Sequence, residues 1–309
     1  MDADNLDISL LEEIEAHAIS SAREAGQILL EHFSQPLEVQ FKDKKRTDPV
    51  TTADRRSEEF LKSTIREKFP QHGILGEEGG ALHKSDSPFV WVIDPLDGTS
   101  NFMNGLPLFA VSIGVLWKWQ PVVGSIYVPV SHRGTAGVYH ACQGKGSHLD
   151  GEKITVTRKP SGRPLSGNPS QFRSRFRLSR QSQREPHEAR NLGSIALELT
   201  LAACGVFQYA LFGSPKVWDV AAGVLLVKEA GGLAFTRRPK VRNWLPLERF
   251  QSEQSNSKET LENLRSWSSP VIVGAPEITR KVVQDIRSPH APLSWLTALQ
   301  QHQSQKDGK

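Results

Sequence analysis

Apolar and polar positions along the chain open in a helical rhythm. Leu11, Ile14, Ala18, Ala22, Ala25 and Leu29 recur at three- and four-residue spacing, and Pro36 closes the run. A second helical pattern carries Phe60, Leu61, Ile65 and Phe69 and stops at Pro70. Strand signals follow. The run 89–93 ends at an Asp-Pro turn, and stretches 108–117 and 122–128, joined through 118–121, predict adjacent antiparallel strands. Residues 138–142 and 154–156, around a glycine-rich turn at 144–151, predict another strand–turn–strand unit. Past residue 157 the texture changes, and a Pro-, Gly- and Ser-rich stretch at 160–169 predicts a boundary between halves 1–157 and 158–309. The second half carries helical patterns at 195–203 and 217–230, the latter ended by Gly231 and Gly232. Residues 236–268 are polar without a sustained period and read as a long loop or insertion. A last strand at 271–273 and a helix at 277–286 precede a polar tail. Strands first, then mixed elements, predict a layered α/β architecture with an antiparallel sheet.

Composition narrows the function classes. The chain has 309 residues, 38% hydrophobic and 23% charged, which excludes wholesale disorder and suits about two domains. A net charge of +4 is too mild to make nucleic acid the default partner. The basic residues are clustered, however: Lys42, Lys44, Lys45 and Arg46; six arginines within 171–190; and a third group within 237–249. The segment around Phe172 and Arg180 has two readings, a surface for nucleic acid or an acidic partner, or the solvated basic face of an edge element. Asp2, Asp4, Asp7, Glu12, Glu13 and Glu15 crowd an amino terminus without Lys or Arg, the reverse of a targeting peptide. The longest apolar stretches, such as 220–227, fall far short of a membrane span. Cys142 and Cys204 cannot build a disulfide framework, and no His stands at a metal-ligand spacing. A cytoplasmic protein without membrane contact is expected.

The chemistry concentrates between Trp91 and Phe102. A buried strand ends in Asp94 and Asp97, Gly98 frees the backbone, and Thr99, Ser100 and Asn101 can cap a following helix. Carboxylates beside free backbone N–H groups suit a hard divalent cation and a phosphate together. Asp, Pro and Gly are also ordinary turn formers, so these six residues alone leave both readings open. Glu77 and Glu78 sit in a glycine-flanked turn upstream, and Asp219 opens a helix downstream; singly, each also reads as a solvated turn or an N-cap.

Taken together, these motifs resemble the inositol monophosphatase family of Mg²⁺-dependent, lithium-sensitive phosphatases. The resemblance rests on Gly76-Glu-Glu78, on Asp94-Pro-Leu-Asp-Gly-Thr99 with Asn101 and Phe102, and on Trp218-Asp-Val-Ala-Ala-Gly223 followed by Glu229-Ala-Gly-Gly232. Pro49-Val-Thr-Thr-Ala-Asp54, Gly144-Lys-Gly146 and Asp150-Gly151 support it, in the family's order. It implies the αβαβα sandwich of the inositol monophosphatase and fructose-1,6-bisphosphatase type, a homodimer, and a hydrolase that releases phosphate from a small inositol-1-phosphate-like ester without a phospho-enzyme. Glu77, Asp94, the carbonyl of Leu96, Asp97 and Asp219 would hold two to three Mg²⁺ ions, which activate water and stabilise the leaving oxygen. Thr99, hydrogen-bonded to Asp54, would orient and deprotonate that water together with Glu77, and the N–H groups of Gly98 and Thr99 would cradle the phosphate. Asp54 has a second reading, as a cap of the helix over 55–69. The basic run at Lys42 reads either as the family's mobile loop near a third metal or as a solvated charge run.

Ser194 and Ile195, with Phe212, Asp97 and Asp219, would contact the alcohol portion of the substrate. At Phe212 the inositol-specific members carry a Glu that binds ring hydroxyls, so the inositol assignment is the weak point of the resemblance. Fructose 1,6-bisphosphate, histidinol phosphate and 3′-phosphoadenosine 5′-phosphate are the alternative substrates, and a binding protein using the basic 171–190 segment is the alternative of another class. Trp91 and Trp218, beside the acids, are expected to pack the floor of the site.

Overall fold

The computed structural model describes residues 6–33, 35, 39–41, 49–78, 80–81, 87–156, 162–167, 176, 187–237, 243–250 and 261–286. The basic run from Lys42 to Arg46 and nearly all of 171–186 lie outside the described residues.

Helix α1 (Ile8–His32) starts where the side chain of Asp7 accepts from the Ser9 N–H, and its predicted apolar stripe is buried in full. Helix α2 (Thr52–Lys68) starts earlier than its apolar pattern indicated, because Thr51 and Asp54 close a reciprocal cap around its first turn. Both helices pack on one face of an eight-stranded sheet. Its strands are β3 (Gly73–Gly76), β4 (Gly80–Ala81), β5 (Phe89–Asp97), β6 (Ala110–Trp117), β7 (Gln120–Val128), β8 (Gly137–Cys142), β9 (Gly146–Leu149) and β10 (Glu152–Ile154). They stand in the order β10-β9-β8-β7-β6-β5-β3-β4, antiparallel except for the β3–β5 pair. A small hairpin, β1 (Val39–Phe41) with β2 (Pro49–Thr51), leads into α2.

The second half builds a six-stranded sheet, β12-β11-β13-β16-β14-β15. Its members are β11 (Leu165–Gly167), β12 (Glu188–Arg190), β13 (Phe207–Phe212), β14 (Leu233–Thr236), β15 (Leu245–Pro246) and β16 (Val271–Gly274). Helices α4 (Ile195–Ala203) and α5 (Val217–Glu229) lie between the two sheets, and α7 (Pro276–Asp285) covers the outer face of the second. Short helices α3 (Thr99–Met103) and α6 (Leu261–Ser266) complete the fold. The layers therefore run α1/α2, sheet, α4/α5, sheet, α7. Helix α5 is apolar almost all round because it has a sheet on each side.

Three expectations change. Strand β5 does not stop at Ile93. It runs on to Asp97 with an irregularity after Asp94, where Pro95 brings no N–H to the ladder, and pairing resumes at Asp97 opposite Ala110. The 236–268 region is not simply a polar loop: it contains β15 and α6, and Leu247 and Phe250 are buried in the core. Trp91 does not pack the site's floor. Successive β5 side chains alternate faces, so Val90 and Val92 meet the α4/α5 layer while Trp91 meets the α1/α2 layer. There its indole N–H donates to His72 Nδ1 at 3.1 Å, beside Phe69 and His17. Trp218 does lie in the layer between the sheets.

Candidate active site

The end of β5 delivers Asp94 and Asp97, and each acid is fixed by backbone nearby. Asp94 Oδ1 accepts from the Leu96 N–H at 3.0 Å, closing the turn around Pro95. Gly98 then takes a left-handed conformation, φ 94°, that a side chain would strain, and α3 begins at Thr99. The Thr99 hydroxyl lies 3.0 Å from the Leu96 carbonyl and 3.3 Å from Asp54 Oδ1. Asp54 uses its two oxygens differently: Oδ2 accepts from the Thr51 N–H at 2.8 Å and caps the helix, while Oδ1 faces Thr99.

Asp97 joins the two halves. Its Oδ2 accepts from Ser194 Oγ and from the Ala196 N–H, both at 2.6 Å, at the amino-terminal end of α4. Ser194 also accepts from the Leu197 N–H at 3.2 Å, so its hydroxyl is engaged as a cap and as a donor to Asp97. Asp219, in the first turn of α5, accepts from the Lys216 N–H at 2.7 Å. The Trp218 carbonyl accepts from Ser112 Oγ on β6, which ties that turn to the first sheet. Glu77 follows β3, with its N–H donating to the Ile93 carbonyl at 3.3 Å.

Electrostatics bring these acids into one group. Burial pushes the Asp94 carboxyl well above the usual carboxylate range, and the charges of Glu77, Asp97 and Asp219 push it further. Asp219 is raised in the same way, by burial and then by Asp97. Asp97 is pushed up to about 6 by burial, against the hydrogen bonds from Ser194 and Ala196. Burial also raises Asp54 to about 6, with Glu77 adding to it and the Thr51 bonds opposing. The acids crowd without closing a cage: among the described residues, no three His, Cys, Asp or Glu side chains converge on a ready-made metal position.

The remaining predicted residues divide. Ile195 packs at the edge of the core between the sheets, next to Ser194. Phe212 is 1% exposed inside that core, on β13 opposite Val271, and carries no hydrogen-bonding group. Other residues near the site belong to no motif in the sequence. Ser57 Oγ donates to the Pro95 carbonyl at 3.0 Å, bracing the turn between the two acids. Glu198, 2% exposed and raised to about 7 by burial, accepts from the Leu192 N–H at 2.7 Å and holds the turn that precedes Ser194. Glu58 and Lys62 lie beneath the Glu77 turn. The available signal was charge at 58 and 62 on the helix face that buries Leu61 and Ile65.

Comparison with known proteins gives the family and the fold. A "Nus factor SuhB" of Pasteurella multocida is 36% identical over 230 residues, covering 70% of this chain and 82% of that protein. A "Fructose-1,6-bisphosphatase/inositol-1-monophosphatase" of Aquifex aeolicus is 34% identical over 220 residues, covering 69% and 81%. Among solved structures, the inositol monophosphatase of Anabaena superposes with a TM-score of 0.63 at 26% identity, covering 89% of this chain and 95% of that one. The Thermotoga maritima IMPase superposes at 0.66 and 25% identity, covering 88% and 96%. The fold is of the inositol monophosphatase and fructose-1,6-bisphosphatase type, and the likeness supports a phosphatase. Residues 10–268 match the inositol monophosphatase family, and the chain belongs to it.

Proposed function

We propose that this protein hydrolyses a small-molecule phosphomonoester, of the inositol-1-phosphate kind, with Mg²⁺ held by Glu77, Asp94, Asp97, Asp219 and the Leu96 carbonyl. One observation carries the reading: Asp97 is clamped to α4, and Asp219 opens α5, so that acids from both halves crowd Asp94. The donor set fits the cation. All its atoms are oxygens, and Mg²⁺ keeps several waters rather than demanding a closed protein cage. When bound, the cation supplies the positive charge that lets these acids ionise side by side and that polarises water and phosphate oxygens.

The chain's own residues supply the rest. Asp54 faces the Thr99 hydroxyl, which can pass to it a proton taken from an attacking water, with Glu77 orienting that water. The water oxygen bonds to phosphorus, the ester P–O bond breaks, and the departing alcohol takes up a proton. The first N–H groups of α3, at Gly98 and Thr99, have no partner within the helix and suit a phosphate oxygen. Phe212 cannot bind ring hydroxyls, which favours a substrate recognised by fewer of them. Because it is buried in the core, Phe212→Glu would test folding before specificity.

The discriminating measurement is phosphate release from a panel of inositol phosphates, fructose 1,6-bisphosphate, histidinol phosphate and 3′-phosphoadenosine 5′-phosphate, with Mg²⁺, with EDTA and with Li⁺. Release from at least one ester, lost in EDTA and suppressed by Li⁺, is expected; full release in EDTA rejects the reading. A second reading draws on the relatives called Nus factor SuhB and on the arginines of 171–190. It predicts salt-sensitive binding to nucleic acid or to an acidic protein, which a titration across salt concentrations checks.

A further inference from the structure

Under the Gly76–Glu78 turn, helix α2 carries a buried ion pair. Glu58 is 5% exposed and Lys62 8%, and Lys62 Nζ lies 2.9 Å from Glu58 Oε1. Lys62 is the one buried lysine or arginine among the described residues. Both side chains share the helix face that buries Leu61 and Ile65, where a buried charge is costly unless it is paired and hydrogen-bonded. We infer that the Glu58–Lys62 pair is a positioning device for Glu77, an inference that rests on the phosphatase reading above.

Three contacts carry it. The Glu78 N–H donates to Glu58 Oε1 at 3.2 Å, the same oxygen that meets Lys62. On the other side, the Glu77 N–H donates to the Ile93 carbonyl, and Gly76 pairs with Ile93 across the parallel β3–β5 ladder. Glu77 is therefore bracketed by a residue held to the sheet and a residue held to the carboxylate. Third, a Cβ placed on Gly76 would stand 2.1 Å from Glu58 Oε1. Gly76 is not among the glycines with left-handed φ, so glycine is required there for room rather than for backbone freedom. The turn and the carboxylate are fitted to each other. Lys62 provides the opposite charge that a carboxylate needs when it is buried next to a cluster of acids. Helix α2 also carries Asp54 in its first turn and Ser57 against Pro95, so one rigid element sets Glu77, Asp54 and the Asp94–Asp97 turn together.

The test is calorimetric titration of Mg²⁺ into the full chain, with thermal melting for fold integrity and phosphate release as the second functional readout. Glu58→Ala is expected to weaken Mg²⁺ binding about tenfold or more, the usual loss when a group supporting a metal ligand is removed. The neutral pair Glu58→Gln with Lys62→Met leaves an oxygen for the Glu78 N–H and no unpaired charge, and is expected to stay within about threefold of wild type. Combining Glu58→Ala with Glu77→Gln should weaken binding no further than Glu77→Gln alone, as required if Glu58 acts through Glu77. If Glu58→Ala does not fold, Gly76→Ala, which pushes the carboxylate aside without deleting it, should show the same loss. Mg²⁺ affinity unchanged in folded Glu58→Ala or Gly76→Ala, or additive losses in the combined Glu58→Ala/Glu77→Gln variant, overturns the inference while leaving the phosphatase reading intact. A wild-type protein that takes up no Mg²⁺ and releases no phosphate overturns both.

Discussion

Asp97 is the carboxylate on which two distant parts of the chain meet. Its neighbourhood in the chain, from Asp94 to Thr99, is local, so the acids, the glycine and the hydroxyl could be recognised together. Its hydrogen bonds come from Ser194 and Ala196, and nothing in the residues around Asp97 announces partners that distant. The resemblance assigns Ser194 to the substrate pocket; in the structure its hydroxyl also caps α4 and donates to Asp97. Ser194→Ala should cost about 1 kcal/mol in stability through the lost cap. It should also lower turnover, because one of the groups aiming Asp97 is gone; denaturant melts paired with phosphate release measure both. Asp97→Asn should be more severe. The amide oxygen can still accept from Ser194 and Ala196, but the NH2 replaces the other carboxylate oxygen and removes a charge from the proposed cation set, so turnover should fall about a hundredfold or more with the fold retained.

At the scale of elements, the helices were plainer than the strands. Helix α4 lies where its periodicity predicted, at Ile195–Ala203, and the α1 stripe is buried as expected. Strands β3, β13 and β14 were not read. They are short runs of four to six residues; β3 and β13 are buried throughout, without the alternation that marks a half-exposed strand, and β14 buries only Ala234. Their sheet order, with β16 between β13 and β14, depends on pairings that no local pattern encodes. Helix α5 illustrates the packing that results. It approaches β7 so closely that a Cβ on Gly124 would stand 2.7 Å from the Ala222 carbonyl oxygen. Gly124→Ala must push α5 off the sheet, at a cost of about 1–3 kcal/mol typical of overpacking. Since Asp219 rides on the first turn of α5, turnover should drop with the melting temperature, and a change in stability alone would show that the helix yields elsewhere.

For the whole molecule, the crowd of acids couples stability to pH and to the cation. With Asp54 and Asp97 at about 6, above the ordinary value of 3.8, the metal-free folded chain holds protons that the unfolded chain has released. Their contribution is present below about pH 4 and is lost as pH rises through 6. His72 runs the other way: burial pushes it down to about 4, so its contribution is present above its usual 6.5 and lost as pH falls toward 4. The His72 slope is common to both melts and cancels when the same protein is compared with and without Mg²⁺, whereas the carboxylate slope does not. The rise in melting temperature on adding Mg²⁺ should be larger at pH 7 than at pH 5, because the cation then meets carboxylates rather than carboxylic acids. An equal rise at both pH values would show that Mg²⁺ binds elsewhere. The second sheet has a consequence for the order in which the molecule can be made. Strand β16, the shared neighbour of β13 and β14, comes from residues 271–274, after every acid of the site has been synthesised. On the ribosome the acids of the site therefore emerge before the strand that joins β13 to β14, and the second sheet can close only once residues 271–274 are free to pair.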